Sequence, residues 1–424
     1  MISLARFSFF AVLILATPVQ AQNLQWTSQW GTNRADQTSR VAVDQLGNAY
    51  VSGFTYGSGV GGPPSPPDAF VVKYSPTGAL LWTHQFGTSS DDYAFAVAAD
   101  STAGAYVAGR TNGNLAQSPQ GGGDAFLQRL APDGTVQWTR QFGTTMHDVA
   151  LCVATSPTGV YVGGDTEGSL AGPSFGEGDY FFAKYNEAGD RLWIKQVGTV
   201  GGDVLRGMSV DHAGNLYLGG ASSQTISGAP ADGGSNSFLS KYDKDGGLQW
   251  TTQFDDDEFE VAFDVDADAD GNVFVVGNFN GFSLSTSDGF LLKYTSEGVL
   301  QWSRHFLTED LARLSGVAAD GQGGSYITSF GRDGAYLSRF DGEGTLSWIT
   351  RIDGFTDGAP SDVAASVSGN AYAAGYTRGS LGALNAGDYD VFLRKFQIPE
   401  PRESVVMLPL AMILTYGRRR ESER

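Results

Sequence analysis

The chain has a single cysteine, Cys152, in 424 residues, so no intrachain disulfide can form. Its stability has to come from packing and hydrogen bonds. Cys152 sits in the apolar run 149–153, Val-Ala-Leu-Cys-Val, which reads as a buried strand rather than a reactive thiol. Cations are also scarce: 27 Lys and Arg face 46 Asp and Glu, a net charge of −19. Setting aside Arg6 at one end and five Arg and four Glu from Pro399 onward takes the remainder to −21. A surface of that sign repels phosphate backbones and anionic membrane, which excludes nucleic acid as a partner of the folded part. Cations, basic proteins and neutral sugars remain. The four histidines, His84, His147, His212 and His305, show no metal-ligand spacing. There is no Gly-x-Ser-x-Gly elbow and no phosphate loop. Proline is held to 15 residues while glycine reaches 58 without a three-residue period, which excludes collagen and points to a turn-rich β protein. With 41% hydrophobic and 12% aromatic residues, the chain can pack a core, and disorder is excluded over most of its length.

Both ends carry what read as addresses. Arg6 precedes an apolar run from Phe7 to Ala16, and Thr17-Pro18-Val19-Gln20-Ala21 places small residues at Val19 and Ala21. That order is a secretory signal peptide cleaved after Ala21, too short to span a membrane as an ordinary helix. The other end reads Pro399-Glu400-Pro401, an apolar stretch from Val405 to Tyr416 interrupted by Pro409, then Arg418-Arg419-Arg420. A short motif, a greasy segment and an arginine cluster in that order resemble the PEP-CTERM sorting signal. The resemblance implies an exosortase-type membrane protease that removes the tail. It also implies release or attachment at the cell surface, often alongside exopolysaccharide. Until then the Arg cluster stays cytoplasmic, in keeping with the positive-inside rule.

The middle is one unit written seven times. Trp26, Trp82, Trp138, Trp193, Trp250, Trp302 and Trp348 are separated by 56, 56, 55, 57, 52 and 46 residues, and only Trp30 falls outside the series. A second series, Phe70, Phe126, Phe181, Phe238, Phe290, Tyr336 and Phe392, is followed three residues later by Lys73, Arg129, Lys184, Lys241, Lys293, Arg339 and Lys395. In six units the Trp comes nine positions after that basic residue, with Gly78, Gly134, Gly189, Gly246, Gly298 or Gly344 four residues before it. A glycine turn at fixed spacing between alternating apolar runs predicts a β-hairpin. Two further strands, such as Arg40-Val41-Ala42-Val43-Asp44 and Gly47-Asn48-Ala49-Tyr50-Val51-Ser52-Gly53, recur beside it. Four short strands in about 50 residues make one propeller blade. Residues 390–396 lack a following Trp strand, while Leu24-Gln25-Trp26-Thr27 opens the exported part with no partner. Pairing the two closes a seventh blade and removes an open sheet edge.

These units resemble the SBBP family of seven-bladed β-propeller repeats. The matching text is Asp68-Ala69-Phe70-Val71-Val72-Lys73-Tyr74, Gly78 to Trp82, and Val41-Ala42-Val43-Asp44 with Gly47 to Gly53, and it extends over residues 24–397. The resemblance implies a fold and no shared chemistry. Later units drift: Gln85-Phe86-Gly87 becomes His305-Phe306-Leu307, and the stretch near 330–350 is shortened.

Residues that could carry chemistry are few. Asp266, Asp268 and Asp270 with Gly271 read D-x-D-x-D-G, the first half of a calcium loop. The position where an EF-hand needs Glu is Gly277. The first reading is therefore a polar hairpin turn, and calcium is the alternative. Asp255-Asp256-Asp257-Glu258 with Glu260 reads as a solvated acidic loop. Asp68, Asp124, Asp179, Asn236, Asp288 and Asp390 recur at one place in the unit. A catalytic acid is needed once, so these read as caps for backbone N–H groups. The seven basic residues read as stems covering apolar surface.

The expected protein has a signal peptide (1–21), an all-β seven-bladed propeller of four-stranded blades (22–397) and a sorting tail (398–424). It is exported, reaching the cell surface or matrix after transient anchoring by the tail. It binds exopolysaccharide or surface proteins without catalysis and without a cofactor. Two alternatives stand beside it. One is a polysaccharide lyase or glycoside hydrolase with a one-off carboxylate cluster in the axial channel. The other is a calcium-stabilised adhesin.

Overall fold

The structure is a computed structural model that describes residues 23–57, 66–226, 236–254, 260–279, 288–306, 313–331, 334–352 and 358–397. The segment up to Ala21, the acidic run 255–259 and the tail with Pro399, Glu400, Pro401 and Arg418 to Arg420 lie outside these residues. So does the apolar stretch 405–416; among the described residues no helix is long and apolar enough to cross a membrane.

Strand β1 (Leu24–Trp30) opens the chain, and β2 (Asp36–Val43), β3 (Ala49–Thr55), β4 (Asp68–Tyr74) and β5 (Leu80–Phe86) form the first antiparallel blade. Five more blades follow: β6–β9 over 92–142, β10–β13 over 148–197, β14–β17 over 203–254, β18–β21 over 260–306 and β22–β25 over 313–352. The seventh combines β26–β28, over 358–396, with β1. The fold expected from the repeats is thus the fold observed, including the shortened sixth unit.

The blades stack face against face, so the second strand of each is buried on both sides. Residues 49–53 of β3 are all buried, and the Trp-bearing fourth strand lies exposed at the rim. One core cluster lies at the ring seam, where Val41, Val51, Phe70 and Val72 of the first blade meet Tyr372, Ala374 and Leu393 of the seventh. Strand β1 pairs with β28 from Leu24↔Phe396 to Trp30↔Val391. The amide of Gln397 donates to the Asn23 carbonyl at 3.1 Å, so the two described ends meet. Trp30, outside the tryptophan series, packs its ring 4.7 Å from that of Phe70.

The tryptophans and basic residues latch neighbouring blades. Trp82 Nε1 donates to the Pro132 carbonyl at 2.9 Å, in the last turn of the next blade. Lys73 Nζ donates to the same carbonyl at 3.2 Å and to that of Ala103 at 2.8 Å, with the ammonium 4.9 Å from the Tyr50 ring centroid. Trp26, Trp138, Trp250 and Trp302 repeat the indole contact on Pro76, Glu187, Ser296 and Gly342. Trp348 faces the seventh blade, where the meeting chain ends replace that turn. Its buried Nε1 has no partner among the described residues.

The turn glycine answers to the same contact. Gly134 has φ +85°, and a Cβ there would lie 2.8 Å from Cδ2 of Trp82. Gly134→Ala is expected to cost about 2–4 kcal/mol, from left-handed backbone strain plus overpacking. Urea unfolding of the variant checks this.

Candidate functional site

The innermost strands converge on the axis, and each carries a β-bulge at the same place. The residues just after the bulges form one layer across the bore: Arg40, Ala96, Cys152, Gly207, Asp264, Gly316 and Asp362. One cation, two acids and four small residues at equivalent positions make this layer the place where the repeats stop repeating.

Arg40 reaches across the bore. Its Nη1 lies 3.0 Å from Asp264 Oδ1 and 3.4 Å from Asp362 Oδ1. Its Nη2 donates to the carbonyls of Arg206 at 3.0 Å and Phe263 at 3.4 Å. The remaining carboxylate oxygens accept backbone amides of the following blades: Asp362 Oδ2 from Val41 and Asp264 Oδ2 from Val317, both at 2.9 Å. One layer on, Asp266 accepts Ser209 Oγ and the Ala319 amide, each at 2.8 Å. The small residues make room: a Cβ at Gly316 would sit 2.5 Å from Asp362 Oδ1. Arg40, Asp264, Asp266 and Asp362 line a cavity of about 210 Å³. Cys152 lies in its wall and donates to the Arg206 carbonyl at 3.2 Å; burial pushes its thiol up to about 12, which keeps it inert.

Burial pushes the Asp362 carboxyl up to about 7; Arg40 opposes this, and Asp264 adds to it. Asp264 is raised for the same leading reason. One guanidinium cannot balance two desolvated carboxylates. Burial likewise holds Asp266 and Asp36 at about 6. A carboxyl raised from 3.8 on folding stabilises the fold fully below that value, and the contribution is lost as pH rises through 6 to 7. The chain is therefore expected to melt at a higher temperature at pH 5 than at pH 8, by differential scanning fluorimetry.

The three aspartates expected as a polar turn or calcium loop go separate ways. Asp266 faces the bore. Asp268 caps its own hairpin, accepting the amides of Asp270 at 3.0 Å and Asn272 at 2.9 Å and the Asn272 side chain at 2.8 Å. Asp270 lies exposed in the turn. Among the described residues no three His, Cys, Asp or Glu side chains gather as a metal-holding group. The recurrent aspartates do cap loops: Asp124 accepts the Gln120 amide at 3.1 Å and Gln141 Nε2 at 2.8 Å. Asp179 and Asp390 repeat the pattern.

A second acidic series escaped the sequence reading. Asp36, Asp92, Asp148 and Asp203 each accept the amide of a Thr four residues earlier, at 2.5–2.6 Å. Its signal was the constant Gly-Thr-x-x-x-Asp spacing. A further position, next to last in each second strand, varies from blade to blade: Phe54, Arg110, Asp165, Ala221, Asn278, Phe330 and Tyr376. Asp165 pairs with Arg206 at 2.9 Å, Asn278 brackets the Leu314 backbone, and Phe54 packs on Tyr93 with ring centroids 4.9 Å apart.

Residues 25–59 and 81–116 match the family model for the SBBP β-propeller repeat. The chain is a β-propeller repeat protein. It is 26% identical over 317 residues to the regulatory protein FlaEY of Caulobacter vibrioides, covering 64% of this chain and 33% of that protein. It thus spans about a third of that relative's length. Among solved structures, YCF48 bound to D1 peptide superposes with a TM-score of 0.51 at 10% identity, covering 92% of this chain and 100% of that one. Puromycin hydrolase does so with a TM-score of 0.50 at 13% identity, covering 82% of this chain and 51% of that one. At such identities the likeness concerns the fold alone.

Proposed function

We propose that the chain is an exported cell-surface or matrix propeller that binds polysaccharide or protein and does no chemistry of its own. The observation that carries this is the state of the axial groups. Every carboxylate oxygen of Asp264, Asp266 and Asp362 already accepts a hydrogen bond from the protein. A general base or nucleophile has to be free to turn toward substrate, whereas these carboxylates are held through both oxygens by other blades. These groups instead tie the first, fourth, fifth, sixth and seventh blades together across the bore.

Export rests on the segment ending at Ala21, and sorting on Pro399-Glu400-Pro401 with Arg418 to Arg420. In that reading leader and tail would be joined to the ring where Asn23 and Gln397 meet, at the strand ends away from the long insertions. An anchored precursor would keep its insertion-bearing face clear. In this reading an exosortase-type protease is the processing partner.

The lyase or hydrolase reading draws on one observation, the single-copy Arg40–Asp264–Asp362 cluster in the channel. Purified chain incubated with a panel of polysaccharides and glycosides separates the two. The proposal expects retention on immobilised polymer with no new chain ends; steady release of shortened products would overturn it.

A further inference from the structure

We infer that the junction of the first two blades holds a glycan-binding patch on the insertion-bearing face. This rests on the binding reading above and deepens it. Phe54 and Tyr56 leave the end of β3, while Tyr93 and Phe95 lie on β6 (Asp92–Ala99), the innermost strand of the next blade. The ring centroids of Phe54 and Tyr93 are 4.9 Å apart, edge to face. Tyr93 and Phe95 are 5.6 Å apart with planes only 8° from parallel. Tyr56 is 38% exposed and the other three rings are half-buried, so the row is a rim of aromatic faces rather than core.

The row is not part of the repeat. At the place of Tyr93 the other blades have Gln37, Val149, Val204, Val261, Arg313 and Ala359. At the bulge position of Phe95 they have Ser39, Leu151, Arg206, Phe263, Ser315 and Ser361. Packing the ring therefore does not demand aromatics here. Beside the row, Arg110 pairs with Tyr93 across the sheet and holds its guanidinium 5.1 Å from that ring.

The ligand has to present flat C–H faces to the aromatic rings and acceptor groups to the Arg110 guanidinium beside them. A pyranose does both, with alternating C–H faces and hydroxyls. The net charge of −21 on the exported part disfavours an anionic polymer, which leaves a neutral glycan.

The repeat itself supplies variants that fold. Tyr93→Val with Phe95→Ser installs residues that other blades carry at those places. The fluorescently labelled full chain is screened on an array of neutral and acidic glycans and basic peptides. The best neutral glycan is then titrated by calorimetry. The double variant is expected to keep the wild-type melting temperature and lose at least about tenfold in affinity, while Tyr93→Phe, which keeps the stacking face, stays within about twofold. Retention of basic peptides or acidic glycans alone, or an affinity unchanged in the double variant, overturns the patch and leaves the binding reading standing. Shortening of the bound glycan overturns the binding reading instead.

Discussion

Replacing Arg40 with methionine is expected to destabilise the ring by about 3–5 kcal/mol at pH 8, because it leaves Asp264 and Asp362 facing each other without a counter-charge. The side chains are 20%, 11% and 6% exposed, so water screens them little. The loss should shrink at pH 5, where Asp362, raised by burial to about 7, takes up a proton and needs the guanidinium less. Adding Asp264→Asn and Asp362→Asn to Arg40→Met should restore most of the stability. An amide oxygen still accepts the Val41 and Val317 amides, and no uncompensated charge remains. Urea unfolding of the single and triple variants at both pH values gives the four numbers. Equal losses at the two pH values, or no rescue, would show that the layer is held by packing rather than by charge.

The second large effect belongs to the seam. Removing residues 23–30 takes away the outer strand of the seventh blade and leaves β28 as an unpaired edge. It also removes the Trp26 latch on Pro76 at 2.9 Å and the Ser28 bond to the Gly78 carbonyl at 2.7 Å. Gln29 Nε2 loses its contact with Asp390 at 2.8 Å, and the Leu381 amide loses Gln29 Oε1 at 2.7 Å. The truncated chain is expected to lose its single cooperative melting transition and to associate through the exposed edge. A synthetic peptide spanning Asn23 to Gly31, added in excess during refolding, should restore a monomer by occupying the same edge. Light scattering and circular dichroism read both outcomes. A truncated monomer with an unchanged melt would contradict closure by the chain ends.

What the sequence revealed follows from how propellers are coded. Trp82, Lys73 and Gly134 recur because one blade junction after another uses the same indole, the same cation and the same tight turn. Comparing the chain with itself therefore exposed the blades, their number and the pairing of 24–27 with 390–396. Single-copy features are hidden by the same logic. Arg40, Asp264 and Asp362 stand 98 to 322 residues apart along the chain, and only the convergence of three innermost strands brings them together. Tyr93 and Phe95 lie outside the recurrent series, and only the strand register shows that no other blade carries an aromatic at both places. Asp268 reads in its D-x-D-x-D-G context first as part of a polar hairpin turn, and it caps that turn as Asp44 and Asp211 cap theirs.

The most direct measurement of whether the bore groups are ties rather than catalysts uses the triple variant Arg40→Met, Asp264→Asn, Asp362→Asn on the best polysaccharide ligand. Retention and polymer length are followed side by side for it and the wild type. The expected result is equal retention by both proteins, with the polymer recovered at its original length. A folded triple variant that no longer retains the polymer, or a wild-type protein that shortens it while the triple variant does not, would contradict the binding role.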